Sequence, residues 1–196
     1  MIRHGRRRTL WAATIAVLCL AAASCSQSGT GPPPCDDPSA NIVVLVAQSV
    51  PSATMIPCVR SIPSGWTFGG GTVSNDLSRM WLDSVVAGNH AVEVSLRPAC
   101  AVPADAVETV PGAGEAGTRV FQGPQSLNPF RWTRFVTFPG GCAVYVYTFT
   151  AGAPPTLSLE ANDALSFIPR ADVVAAVRED DGETLCGAGA PPCLDR

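Results

Sequence analysis

The sequence contains no lysine; all 13 of its basic residues are arginine. Together with abundant Ala, Gly, Pro and Val, this suggests a GC-rich bacterial coding bias. Charge is sparse, at 15% of residues. Four arginines, Arg3, Arg6, Arg7 and Arg8, are gathered at the start. The remaining nine face 16 acidic residues, leaving that part of the chain near −7. That sign disfavours nucleic acid and direct adhesion to anionic lipid. Histidine is scarce too, with only His90 beyond His4. A Ser-His-Asp triad would have to use His90 as its base, and no G-x-S-x-G accompanies the serines. Close Cys or His pairs of the kind that hold zinc are missing, as is C-x-x-C, so neither a metal nor a thioredoxin-like site is expected. The triplet Gly69-Gly70-Gly71 lacks the Lys and the following helical pattern of a phosphate loop, and is read as a turn or bulge between strands. No cofactor is expected.

What the chain does have begins with its first residues. The arginines are followed by an apolar run from Leu10 to Ala23, then Ser24-Cys25. A charged start, a short apolar core and small residues at the exit make a signal peptide over residues 1–24. The run is shorter than the ~18 apolar residues of a spanning helix. The exit, LAAASC, resembles the lipobox of bacterial lipoproteins at Ala22, Ala23, Ser24 and Cys25, with Ala22 where that pattern favours Leu. The resemblance implies a diacylglycerol on the Cys25 thiol, cleavage before it, and a protein held by fatty chains at the outer face of the cell membrane. The alternative is simple secretion. Arg7-Arg8-Thr9 followed by Leu10 and Trp11 also fits a loose twin-arginine export pattern. Residues 25–41 then form a Ser/Gly/Pro-rich spacer, expected to be an extended tether.

Residues 42–196 are expected to form one domain, with 46% hydrophobic content across the chain, too apolar for disorder. Six cysteines lie beyond Cys25: Cys35, Cys58, Cys100, Cys142, Cys186 and Cys193. An even number in an exported chain suggests disulfides, and the one local pairing that stands out is Cys186 with Cys193, across a Gly/Pro-rich turn. The apolar, β-branched residues 42–47 read as a buried strand. Pro51, Pro57 and Pro63 break the next stretch into short extended pieces. Residues 78–84 and 91–98 alternate in polarity and are expected to form a hairpin, with Gly88-Asn89-His90 at the turn. A clearer hairpin spans 133–138 and 142–149 around Pro139-Gly140-Gly141. Between the hairpins, 101–117 reads as a long polar loop. The hairpins resemble each other, with Arg79 aligned on Arg134 and Val92 on Val144, which either a duplicated half-domain or the shared demands of two amphipathic hairpins would explain. Helical spacing starts at Thr156 and continues through Leu165 and Ile168. A second helix follows Pro169, with Asp172 in its first turn and Gly182 as its stop. The expected fold is α+β: an antiparallel sheet built from hairpins, with two C-terminal helices packed on one face.

For function, the most suggestive cluster is Phe130-Arg131-Trp132-Thr133-Arg134-Phe135. Interleaved arginine and aromatic residues suit flat ligands and protein interfaces, which makes Arg131, Trp132 and Arg134 a candidate ligand or partner surface that Trp66 and Trp81 would extend. The competing reading is a strand whose alternate residues face core and solvent. His90 is read as a solvated turn residue. Asp83 and Glu93 are read as surface carboxylates that pair with Arg79 or Arg97. The expected role is a non-enzymatic binding or accessory module tied to the membrane by lipid, with an envelope protein as partner. Capture of a small ligand for transport and an envelope hydrolase are the alternatives. Residues 51–66 onward are similar to uncharacterised exported proteins of actinobacteria, a resemblance that implies no activity.

Overall fold

The computed structural model describes residues 31–112 and 115–193. The leader and Cys25 lie outside these residues. Three helices are described: α1 (Asn41–Ser49), α2 (Leu157–Ala164) and α3 (Arg170–Asp181). Ten strands accompany them: β1 (Met55–Val59), β2 (Trp66–Ser74), β3 (Leu77–Ser84), β4 (Gly88–Arg97), β5 (Val107–Thr109), β6 (Arg119–Gln122), β7 (Ser126–Leu127), β8 (Phe130–Phe138), β9 (Gly141–Thr148) and β10 (Leu165–Pro169).

Eight of the strands make one antiparallel sheet. Its order is β2-β3-β4-β9-β8-β6-β5, with β7 pairing on β8. Both expected hairpins are there, as β3–β4 and β8–β9, and they join at the sheet centre through β4 and β9. Residues alternate between faces with a period of two. One face carries Met80 and Leu82, then Val92, Val94 and Leu96, then Ala143, Tyr145 and Tyr147, and all of these are buried. The opposite face carries Arg79, Trp81, Asp83, Glu93, Val146 and Thr133, which retain exposure. The alignment that suggested a duplication does not respect these faces. Val92 points into the core and Val144 away from it, and Arg79 faces solvent while Arg134 lies on the core side. A one-residue offset in a strand exchanges its faces, so the likeness is that of two amphipathic hairpins meeting the same demand.

The second sheet was not foreseen. β1 and β10 form an antiparallel ribbon in the register Met55↔Pro169 to Val59↔Leu165. Leu165 and Ile168, expected to continue a helix, belong to this ribbon. The backbone leaves the helix at Leu165, where φ is −104° and ψ 147°, because β1 offers a full set of ladder partners. The reverse error occurs at residues 42–47, expected to be a strand and found in α1. Val43, Val46, Ala47 and Val50 are buried at the i, i+3, i+4, i+7 spacing of a helix face, while Leu45 is 47% exposed. A short apolar run does not tell a strand from a buried helix; only the pattern continued to Val50 does. α1 touches β1, β2, β3 and α3, and both α2 and α3 touch β10. α3 ends as expected at Gly182, in the left-handed conformation with its N–H donating to the Arg178 carbonyl.

The six described cysteines form three bridges: Cys35–Cys58, Cys100–Cys142 and Cys186–Cys193. The first fixes the far end of the expected tether. Pro33 is buried and accepts a hydrogen bond from the Val59 N–H at 2.7 Å, and the Cys35 N–H donates to the Val59 carbonyl. Residues 33–35 are therefore packed against β1, within the stretch expected to be tether.

Two glycine sites bear on the sheet. At Gly140, in the β8–β9 turn, φ is +73° and an added Cβ would lie 1.8 Å from the Ser52 carbonyl oxygen. The Gly69-Gly70 pair sits in a bulge of β2, inside a strand and not between strands. A Cβ at Gly69 would meet the Trp81 ring at 2.5 Å. The missing side chains let the indole lie across the strand.

Candidate functional site

The interleaved cluster on β8 divides between the two faces of the sheet. Arg131 is exposed on the solvent face. Trp132 and Arg134 point to the core side, 7% and 9% exposed. The three therefore do not make one exposed surface; strand alternation separates them. Of the two tryptophans thought to extend that surface, Trp81 is on the opposite face. Trp66 is 5% exposed within the core and joins Trp132 from inside. Trp66 meets Phe149 edge-on at 6.3 Å, Phe149 meets Tyr147 at 6.4 Å, and Tyr147 stacks on Trp132 at 4.9 Å.

Arg134 stands at the end of this aromatic row. Its two terminal nitrogens, Nη1 and Nη2, each donate to one oxygen of the Glu115 carboxylate at 2.6 Å. A third donor, the Gly112 N–H, reaches Oε2 of the same group at 2.8 Å. Glu115 is carried by the segment between β5 and β6, where its carbonyl accepts from the Thr118 N–H and hydroxyl. Burial works against the Arg134 charge, but the hydrogen bonds and charge of Glu115 outweigh it and hold its pKa above the usual arginine range. The Tyr145 ring lies 5.5 Å under the guanidinium. Burial also raises the pKa values of both Tyr145 and Tyr147, and the Tyr147 hydroxyl donates to Asn162 Oδ1 at 2.5 Å. Among the described residues the buried Trp132 Nε1 has no hydrogen-bond partner.

Sequence reasoning singled out Trp132 and Arg134 but missed Glu115, Tyr145 and Tyr147. The alternation of β9 placed the tyrosines on one face, and that face could have been matched to Trp132. No sequence signal marked Glu115 among the loop carboxylates.

Elsewhere the polar groups pair as surface residues do. Arg79 lies 3.6 Å from Glu93, and Arg119 grips Glu108 side-on at 2.9 Å. The Glu108 carboxyl is held below its usual range, chiefly by its hydrogen bond to Arg119. His90 is exposed, as expected, with φ at +49°, its N–H bonded to Asp83 Oδ1 and its ring 4.7 Å from Trp81. Its strand begins at Gly88, so the turn falls at 85–87 and not at 88–90.

Arg170, not singled out in the sequence, is 1% exposed. It donates to the Ala47 carbonyl in the last turn of α1 and to the Cys186 carbonyl at 2.6 Å, while its Nε has no partner among the described residues. Burial lowers its pKa.

An apolar cavity of about 20 Å³ lies between α1 and the sheet, lined by Ile42, Val46, Phe68, Met80 and Val94 among others. That is room for about a single water. Among the described residues no group of three or more His, Cys, Asp and Glu is placed to hold a metal ion, and no helix is long and apolar enough to cross a membrane. Cys25 lies outside the described residues. No family model, no curated protein and no solved structure matches this chain.

Proposed function

We propose that the chain is an exported lipoprotein: a non-enzymatic binding or accessory module held at the outer face of the cell membrane by fatty chains on Cys25. The observation that carries this reading is the pairing of cysteines. All six described cysteines are used in bridges to one another. Structural disulfides belong to an oxidising compartment, which agrees with the signal-peptide pattern of residues 1–24. Cys25 is left with no described cysteine to pair with, and it stands where the lipobox-like LAAASC places the modified thiol. Two or three acyl chains hold firmly where one would hold marginally.

The reading takes the helices to lie over one face of the large sheet. The face of Arg79, Trp81, Glu93, Thr133 and Val146 then remains for an envelope partner. The water-sized cavity beneath α1 favours this over capture of a transported solute there, since small-molecule pockets run to ~300 Å³ or more.

Labelling of the full chain with palmitate in an actinobacterial host tests the anchor. Label is expected in the wild type and absent from Cys25→Ala, which should leave the membrane fraction. Unlabelled wild-type protein, or membrane-bound Cys25→Ala, would overturn the reading.

A further inference from the structure

We propose that Trp81, Asp83 and His90 form a saccharide-binding platform on the solvent face of the large sheet. This rests on the binding-module reading and deepens it, naming the envelope partner on that face as a glycan.

Three observations carry it. The first is how the backbone gathers these residues. β2 has a bulge between Phe68 and Gly70, and β3 has one between Leu82 and Ser84, at Asp83. His90 holds φ at +49°, in the left-handed region that side-chain-bearing residues rarely adopt. Bulges re-aim side chains, and strained backbone persists only where its surroundings hold it. Here the three irregularities meet at one place. The His90 N–H donates to Asp83 Oδ1 at 2.6 Å, and its ring lies 4.7 Å from the Trp81 indole, tilted by 35°. The vacant Cβ position of Gly69 is 2.5 Å from both Trp81 and Asp83. All three residues stand on β3 and β4 and not on loops, so the sheet itself holds them.

The second is the lie of the indole. A Cβ at Gly70 would also meet the Trp81 ring, at 3.0 Å, so the ring rests against bare backbone along β2. It remains half-buried, with exposed Thr67, Thr72 and His90 around it on the same face. A ring laid along a sheet in this way gives the apolar face of a sugar a surface to pack on.

The third is the set of polar atoms left over. Asp83 Oδ2, the two His90 ring nitrogens and Trp81 Nε1 make no hydrogen bond to another described residue. The carboxylate accepts, the indole donates, and a neutral imidazole does one of each. Hydroxyl groups both donate and accept, so they match this mixed set, whereas an ammonium ion could use only its acceptors. Glu93, opposite Trp81 on β4, is already engaged by Arg79 at 3.6 Å.

The test uses the full chain in a detergent without a sugar headgroup, with ¹⁵N-labelled tryptophan. The probes are cellotriose and chitotriose, β-linked trimers of glucose and of N-acetylglucosamine. Sorbitol, a polyol without a ring face, and tetramethylammonium chloride are the controls. The Trp81 indole signal is identified by its loss in Trp81→Phe, while Trp66 and Trp132, buried in the core, report folding. At least one trimer is expected to shift the Trp81 signal saturably, at roughly millimolar concentration, and to leave the core signals in place. Gly69→Ala, which lifts the indole off the strand, should weaken binding roughly fivefold with the core signals unchanged. His90→Asn, which tolerates the left-handed backbone, should weaken it as well. A Trp81 signal that stays still with both trimers overturns the proposal, as does an equal response to sorbitol. A shift with tetramethylammonium alone marks a cation site and overturns it too, and so does unchanged binding by both variants. Palmitate labelling reads the anchor independently, so the two proposals can fail separately.

Discussion

Arg170 shows how a single side chain can join parts of the chain far apart in sequence. It opens α3, where a cation opposes the helix dipole, yet its guanidinium closes the carbonyl end of α1 and holds the Cys186 loop. Arg170→Ala would leave buried carbonyls without donors and a cavity, so a loss of about 3 kcal/mol is expected in denaturant unfolding. Arg170→Met fills the volume and removes the buried charge, so it should recover part of that loss. The two tyrosines permit a second check at this scale. The chain has only Tyr145 and Tyr147, and burial raises both pKa values. A group that keeps its proton in the folded state and loses it near pH 10 when unfolded withdraws stability as pH rises above about 10. Tyrosinate absorbance should therefore appear together with loss of the near-ultraviolet dichroism, and not before it. Early titration of either tyrosine would mean that its ring is reachable in the folded protein.

Among the elements, the central hairpin depends on its turn. Gly140 combines a positive φ with close approach to the Ser52 carbonyl, and the neighbouring Pro139 carbonyl accepts from the Thr54 N–H and hydroxyl. Gly140→Ala meets both the strained backbone and the clash, so a loss of at least ~2 kcal/mol is expected in thermal or denaturant melts. Gly152, also at positive φ but with nothing near its absent Cβ, should tolerate alanine better. The hairpins were legible because alternation of Met80, Leu82, Val92, Val94 and Leu96 is a local pattern that the sheet preserved. α1 and β10 were misread for a shared reason. Both are short apolar runs, and what decides between helix and strand there is the partner: α3 and the large sheet for α1, and β1 for β10.

Across the whole molecule the bridges act unequally. Cys100–Cys142 spans 42 residues and Cys186–Cys193 spans seven. On a chain-entropy account they limit the unfolded state by roughly 4 and roughly 2 kcal/mol. Replacing Cys100 and Cys142 with alanine should therefore lower the melting temperature more than replacing Cys186 and Cys193. A larger effect of the second pair would point to the Arg170–Cys186 contact as its source.

Some properties of this protein follow from its sequence alone. The charged start, short apolar core and LAAASC exit are contiguous, so the expectation of export and lipid attachment needs no tertiary information. Cysteine parity, the amphipathic hairpins and the Gly182 stop are local in the same sense. Only the tertiary structure decided that Cys35 pairs with Cys58 and Cys100 with Cys142, that residues 41–49 coil while 165–169 extend, and that a loop carboxylate at Glu115 enters the core to meet Arg134. Each of these joins residues distant along the chain. Their free energy comes from burying one against another, a quantity that no window of neighbouring residues contains.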